Sequence, residues 1–415
     1  MARSTASSSE KPGSPTAVVT HPAIRVYLDY GGFAPVDPRV VAVMRPFLEG
    51  GVGNPSALHS LGAEAKESLE AARLKVARLI GGAPRGVIFT SGATESNNLA
   101  VKGVALRTAE SPGHLIASAI EHISLLNACR DLEKRGLSVT YLRVDREGRV
   151  DPRSLAEAIR RDTVLISIMA ANGEIGAVEP LGELGRIARQ AGIPFHVDGV
   201  GAVGRVPLSM DELGIDLFTL SSNDLYGPPG VGALWVRPGV KLTPQILGGG
   251  QEDGYRSGTE NLPGIVGMGV AAELVRREWQ EESRRLAPLR DQLMAGLLRV
   301  LPETVLTGPR VGRLPSHASL SLRSVKAESI LMDLDLSGIA ASTGSACASK
   351  TQEPSHVLRA IGCDAEEAEG SLCFTLGRWT TGADIETVLE LLPGIVERLR
   401  ALSPKAARAS RPSSG

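Results

Sequence analysis

Four stretches of this chain have residue types and spacing suited to chemistry. Ser91-Gly92-Ala93-Thr94 is a small-residue turn running into a helical stretch. Free backbone N–H groups at a helix start, with the helix dipole behind them, suit a phosphate, and the Thr94 hydroxyl adds a donor. Asp198 puts a carboxylate at the end of one apolar run, and Ser221-Ser222-Asn223-Asp224 closes another with a hydroxyl and a second carboxylate. Cys347 lies in Ser345-Ala346-Cys347-Ala348-Ser349-Lys350, a small-residue loop able to extend and deliver a thiol away from its own domain. Thiolate is the reactive form, and the nearby Lys350 favours it. Cys129, Cys363 and Cys373 read as small buried thiols, and no C-x-x-C spacing marks a zinc site.

The elements that must position these groups follow from hydrophobic patterning. Strands are expected at 87–90, 115–119, 139–144, 164–170, 194–198, 217–220 and 232–236, and helices at 96–106, 123–135, 152–161 and 181–190. This alternation predicts a mostly parallel sheet covered on both faces, with ligands bound beyond the carboxyl ends of the strands. The turn at 90–94, Asp198-Gly199 and the 221–224 turn all fall at such ends. A long helical stretch over 263–300 leads to a second, α+β unit with strands at 316–322, 339–342 and 371–376. The expected division is a leader over 1–24 and a large α/β domain over 25–262, with 25–50 packing on the small domain. A connecting helix over 263–300, a small domain over 301–403 and a frayed tail over 404–415 complete it.

The chain has 415 residues, is 42% hydrophobic and carries a formal net charge of −1. That length buries a substantial core, and the balanced charge gives no footprint for nucleic acid or an anionic membrane. No apolar run reaches the ~20 residues that span a bilayer. Few cysteines and a leader without an apolar signal core predict a cytoplasmic protein.

An ordered set of blocks over residues 26–403 resembles the cysteine desulfurases, the NifS-like branch of class V pyridoxal-phosphate (PLP) enzymes. It includes Thr90-Ser91-Gly92-Ala93-Thr94-Glu95-Ser96-Asn97-Asn98, Glu121-His122, Glu174-Ile175-Gly176 and His196-Val197-Asp198. Arg256-Ser257-Gly258-Thr259-Glu260-Asn261, Gly344-Ser345-Ala346-Cys347 and Glu353-Pro354-Ser355-His356 follow. The resemblance implies a fold-type I architecture. It makes Asp198 the partner of the pyridinium nitrogen and His122 the imidazole stacked on the ring. Ala93, Thr94, Ser221 and Thr259 become phosphate contacts, the last supplied by the other subunit of a homodimer, and Cys347 becomes the persulfide nucleophile.

Against the same pattern several positions are changed. Asp224 stands where the family has the lysine that forms the Schiff base with PLP, and Asn223 replaces the histidine before it. Gly201 replaces a glutamine that bonds the PLP phenolic oxygen, and Gly173 replaces an asparagine on the substrate side. Cys373 replaces the arginine that forks onto the substrate carboxylate. None of the nine lysines follows a strand end matching a cofactor contact. The leading expectation is therefore a homologue without PLP-dependent turnover and with no bound cofactor or metal. It would be kept as a dimeric scaffold or sulfur-handling partner, meeting an iron–sulfur scaffold or sulfur-acceptor protein. The alternatives are an active desulfurase with atypically bound PLP, or a ligand-binding protein or different enzyme using a pocket that Gly173 and Gly201 enlarge around Asp224.

Overall fold

The computed structural model describes residues 24–50, 53–107, 113–344 and 354–402. The expected leader up to residue 23, the tail, Cys347 and Lys350 lie outside the described residues. In chain order come β1 (Val26–Tyr27), α1 (Pro38–Glu49), α2 (Ser60–Ile80), β2 (Val87–Thr90), α3 (Ala93–Ala105), β3 (His114–Ser118) and α4 (Ile123–Lys134). Then follow β4 (Ser138–Leu142), α5 (Pro152–Ala158), β5 (Thr163–Ser167), α6 (Leu181–Ala191), β6 (Phe195–Asp198), β7 (Leu217–Ser221) and β8 (Gly232–Val236).

β2 to β8 form one seven-stranded sheet in the order β2-β8-β7-β6-β5-β3-β4. Only β8 runs against the others, antiparallel to both β2 and β7. This is the α/β class and mostly parallel sheet that the alternating pattern predicts. Successive residues of each strand point to opposite faces. Phe89, Ile116, Ile166, Phe195, Val197 and Phe218 therefore enter one core with α2 and α6. Ile88, Leu115, Ala117, Leu165, Leu217 and Leu234 enter the other with α3 and α4.

The chain continues through α7 (Leu262–Val300), β9 (Thr304–Leu306), β10 (His317–Leu322), α8 (Ala327–Leu336), β11 (Ile339–Ala340), α9 (His356–Ala360), α10 (Ala365–Glu369), β12 (Ser371–Thr375) and α11 (Gly382–Ala401). β12, β10 and β9 make an antiparallel sheet, and β1 pairs with β11. α7 is 39 residues long, about 58 Å. Its first turns, with Ile265, Met268 and Ala272, lie in the large core, and Leu286, Leu293 and Leu297 lie in the small one. The charged stretch between them spans the gap. Asn261 caps its start by accepting from the Gly264 N–H, with Pro263 in the first turn.

α5 stops at Ala158 rather than at residue 161, because the Arg160 N–H turns to the Thr163 hydroxyl at 2.7 Å. The expected strand over 164–170 loses regular pairing after Ser167. Ala170 nevertheless still donates its N–H to the Asp198 carbonyl at 2.8 Å, holding the strand ends level. Among the described residues no helix is long and apolar enough to cross a membrane, and no cluster of His, Cys, Asp and Glu could hold a metal ion.

Candidate active site

The site forms where β2, β3, β6 and β7 end. Asp198 is buried at the last position of β6. Its Oδ2 accepts from Asn97 Nδ2 of α3 at 2.7 Å and its Oδ1 from the Val200 N–H at 3.1 Å. Asn97 Nδ2 also donates to Ser124 Oγ at 3.1 Å, and Ser124 Oγ lies 2.8 Å from His122 Nδ1. His122 caps α4, its Nδ1 accepting from the Ser124 N–H. In the neutral ring the proton therefore sits on Nε2. A continuous polar line thus joins His122 to Asp198 through Ser124 and Asn97. The Asn97 Oδ1 is buried with no partner among the described residues, an unused acceptor on this line.

α3 starts after Gly92 with no side-chain cap. The N–H groups of Ala93, Thr94 and Glu95 have no partner among the described residues, and Thr94 is exposed. Glu95 secures the turn instead: its Oε2 accepts from the Ser91 N–H at 2.8 Å and its Oε1 from Arg256 Nε at 3.0 Å. Arg256 thereby ties the segment carrying the exposed Thr259 to this helix start.

Past β7, Asn223-Asp224-Leu225 forms a single tight helical turn ended by Tyr226 at φ 60°. The Ser222 Oγ and Asn223 Oδ1 are buried without partners among the described residues. Asp224 is partly buried. Burial pushes its carboxyl up to about 6 and the Asp198 charge adds to that, while Arg205, the Ser221 hydroxyl and its own N–H oppose the rise. Asp198, Asp224, Ser221 and Asn97 are thus brought to one place.

The positions expected to depart from the family pattern behave differently from one another. Gly173 faces open space: a Cβ there would meet nothing within 4 Å. Gly201 does not enlarge the pocket as expected, because the Ala171 backbone occupies the room. A Cβ at Gly201 would lie 2.6 Å from the Ala171 carbonyl oxygen, and one at Gly199 would lie 1.9 Å from Phe218 Cζ. Cys373 is buried in β12 with Sγ 4.0 Å from the Gly173 carbonyl oxygen, and burial drives its thiol far above the ordinary range. Burial likewise pushes the Cys129 thiol up to about 12 and the Cys363 thiol to about 11. Glu174 accepts from the Ser355 hydroxyl at 2.8 Å, and burial raises its carboxyl to about 7.

Sequence reasoning assigned no role to Asn97, Ser124, Arg205 or His317. For Asn97, its place one turn into a helix that starts beside a strand end was the available signal. Ser124 and His317 carried none, since their partners come from other elements.

The chain matches the aminotransferase class-V family over residues 26–388. It is 48% identical over 378 residues to cysteine desulfurase IscS 1 of Archaeoglobus fulgidus, covering 91% of this chain and 98% of that protein. To cysteine desulfurase IscS of Dictyoglomus turgidum it is 49% identical over 379 residues, 91% and 96% of the two chains. Among solved structures it is similar to a NifS-like protein, with a TM-score of 0.85 and 35% identity over 90% of this chain and all of the other. These matches overturn the expectation of no bound cofactor. Cysteine desulfurases are a PLP-dependent family, and membership points to PLP. The residues present fit that group: a buried strand-end carboxylate for a ring nitrogen, an unused Asn97 acceptor beside it, and an uncapped helix start for a phosphate. The chain belongs to the class V aminotransferase family, among its cysteine desulfurases.

Proposed function

We propose that the chain is a cysteine desulfurase acting in sulfur transfer, and that it holds PLP without a covalent bond to the protein. L-cysteine and the Cys347 thiol would give L-alanine and a Cys347 persulfide. The observation that carries this reading is the buried Asp198, held by Asn97 beside the uncapped start of α3. When bound, PLP supplies an electron sink for the bonds around the substrate Cα. The chain's own part is positioning. Asp198 would take the ring nitrogen and His122 would cover the ring. Ala93, Thr94, Ser221 and Asn223 would hold the cofactor with Thr259 of a second subunit. Asp224 stands in the place of the family's lysine, and a carboxylate cannot bond an aldehyde as an amine does. Retention then rests on the phosphate and ring contacts alone.

The reading also makes the protein a cytoplasmic homodimer, divided into a domain over 25–262, a helix over 263–300 and a domain over 301–403. Its persulfide would pass to a sulfur acceptor such as an iron–sulfur scaffold.

Adding PLP to the purified chain should give a saturable absorbance change that gel filtration removes, and sulfide release from L-cysteine that depends on added PLP. No saturable PLP binding overturns the reading. A second reading is favoured by Cys373, a buried protonated thiol where the substrate clamp belongs: a PLP-binding scaffold without turnover. PLP binding without sulfide release selects it.

A further inference from the structure

The candidate site has two poles of opposite hydrogen-bonding character. At one, the N–H groups of Ala93, Thr94 and Glu95 at an uncapped helix start have no partner among the described residues. That is a donor surface suited to a phosphate. At the other pole the groups are acceptors. Asp198 and Asp224 are both carboxyl groups, close enough that the charge of Asp198 raises the proton affinity of Asp224. Asn97 Oδ1 and Asn223 Oδ1 are buried with no partner among the described residues.

No cation of the chain meets this excess. Among the described residues no lysine, arginine or histidine stands within ion-pair distance of Asp198 or Asp224. Arg205 acts on Asp224 only from a distance, its Nη1 donating to the carbonyls of Val200 and Gly201 at 3.3 and 3.4 Å. His122 reaches Asp198 only through Ser124 and Asn97. His317, bonded to the Gly173 backbone, is held neutral by burial.

Asp224 draws instead on the Ser221 hydroxyl, which donates to it. A hydroxyl has one proton, so while Asp224 holds it Ser221 has none to offer a phosphate. An unpaired carboxylate also repels a phosphate bound in the same pocket. A ligand ammonium at Asp224 removes both difficulties, because it neutralises the carboxylate and frees the Ser221 proton. A molecule with a phosphate at one end and an ammonium at the other matches both poles.

We propose that this site takes its cofactor preferentially in the amine form, pyridoxamine phosphate, with Asp224 receiving the ligand's ammonium. This deepens the reading of the pocket as a PLP site and rests on it, with residue 224 facing the carbon that bears the aldehyde. The preference is between two forms of one cofactor, and the aldehyde form still binds when it alone is supplied.

The test is calorimetric titration of the full chain near pH 8, where the Asp224 carboxyl is ionised. The probes are pyridoxamine phosphate and pyridoxine phosphate. The second carries a hydroxyl where the first has its ammonium, and neither has an aldehyde to react with surface lysines. The wild type should bind the amine about tenfold to a hundredfold more tightly, the range of a hydrogen bond between charged groups. Asp224→Asn should lose most of that preference, with its affinity for pyridoxine phosphate undiminished. Equal affinities in the wild type overturn the proposal, and so does an Asp224→Asn chain that keeps the preference. Should that variant fail to fold, the wild-type ratio decides by itself. Absence of saturable binding by either probe removes the reading of the pocket as well, whereas equal binding of both removes this inference alone.

Discussion

Tyr226 donates its hydroxyl to Glu282 Oε1 of α7 at 2.5 Å, and the same hydroxyl oxygen accepts the Arg378 N–H at 2.9 Å. The Arg378 guanidinium lies 4.4 Å from the Tyr226 ring centroid. Tyr226 sits two residues past Asp224 with a left-handed backbone, so this anchor fixes the turn that carries the carboxylate. Tyr226→Phe should cost about 1 kcal/mol, since it removes hydrogen bonds to two part-buried groups, Glu282 and the Arg378 N–H. The cost should appear as a lower denaturant midpoint at constant slope. A midpoint equal to wild type would show that the turn holds itself.

Asn97→Ala should weaken PLP binding by about tenfold or more, because Asp198 loses a charge-assisted donor. The dissociation constant from absorbance titration checks this, with circular dichroism confirming the fold. An unchanged constant would mean that Asp198 does not meet the ring.

Asp224 has a definite pH signature. Its carboxyl is raised from 3.8 to about 6, so between those values the native state holds a proton that the unfolded chain has lost. Stability from this group therefore falls as pH rises through that window. Asp224→Asn, which cannot ionise, should be more stable than wild type by up to about 3 kcal/mol near pH 7.5, with the gap closing toward pH 4. A gap that does not change with pH, or a less stable variant near pH 7.5, contradicts the assignment.

Cys129, Cys363 and Cys373 are all held protonated by burial, with thiolate fractions near neutrality below about one part in a thousand. A thiol reagent should therefore modify Cys347 first in the native chain, and all four cysteines only on unfolding. Early labelling of Cys373, read by peptide mass analysis, would mean that β12 opens readily.

Much of the sheet was legible because its strands are buried on both faces and read as short apolar runs, 87–90 and 232–236 with the same bounds as found. α1 and α2 were not legible because they precede the first strand of the sheet and stand outside the alternating pattern. The strand-end groups Asp198 and Asp224 were legible from position alone. What joins them was not: the Asn97 bond spans 101 residues and the Ser355 to Glu174 bond spans 181. Gly201 misled for a related reason. Absence of a side chain suggests room, but the neighbouring Ala171 carbonyl closes that room, and only tertiary packing reveals it.

The pairing of β1 with β11 sets a timetable for synthesis. Val26 lies opposite Ile339, and Leu28 beside it belongs to the small core. Val26 therefore leaves the ribosome about 310 residues ahead of its partner, a wait of roughly 15 s to a minute at ~5–20 residues per second. The large sheet can close meanwhile, since β2 to β8 are contiguous in the chain. Until the last third is made, the N-terminal strand remains an open edge, and that interval is when a nascent chain of this protein is most exposed to mispairing with another.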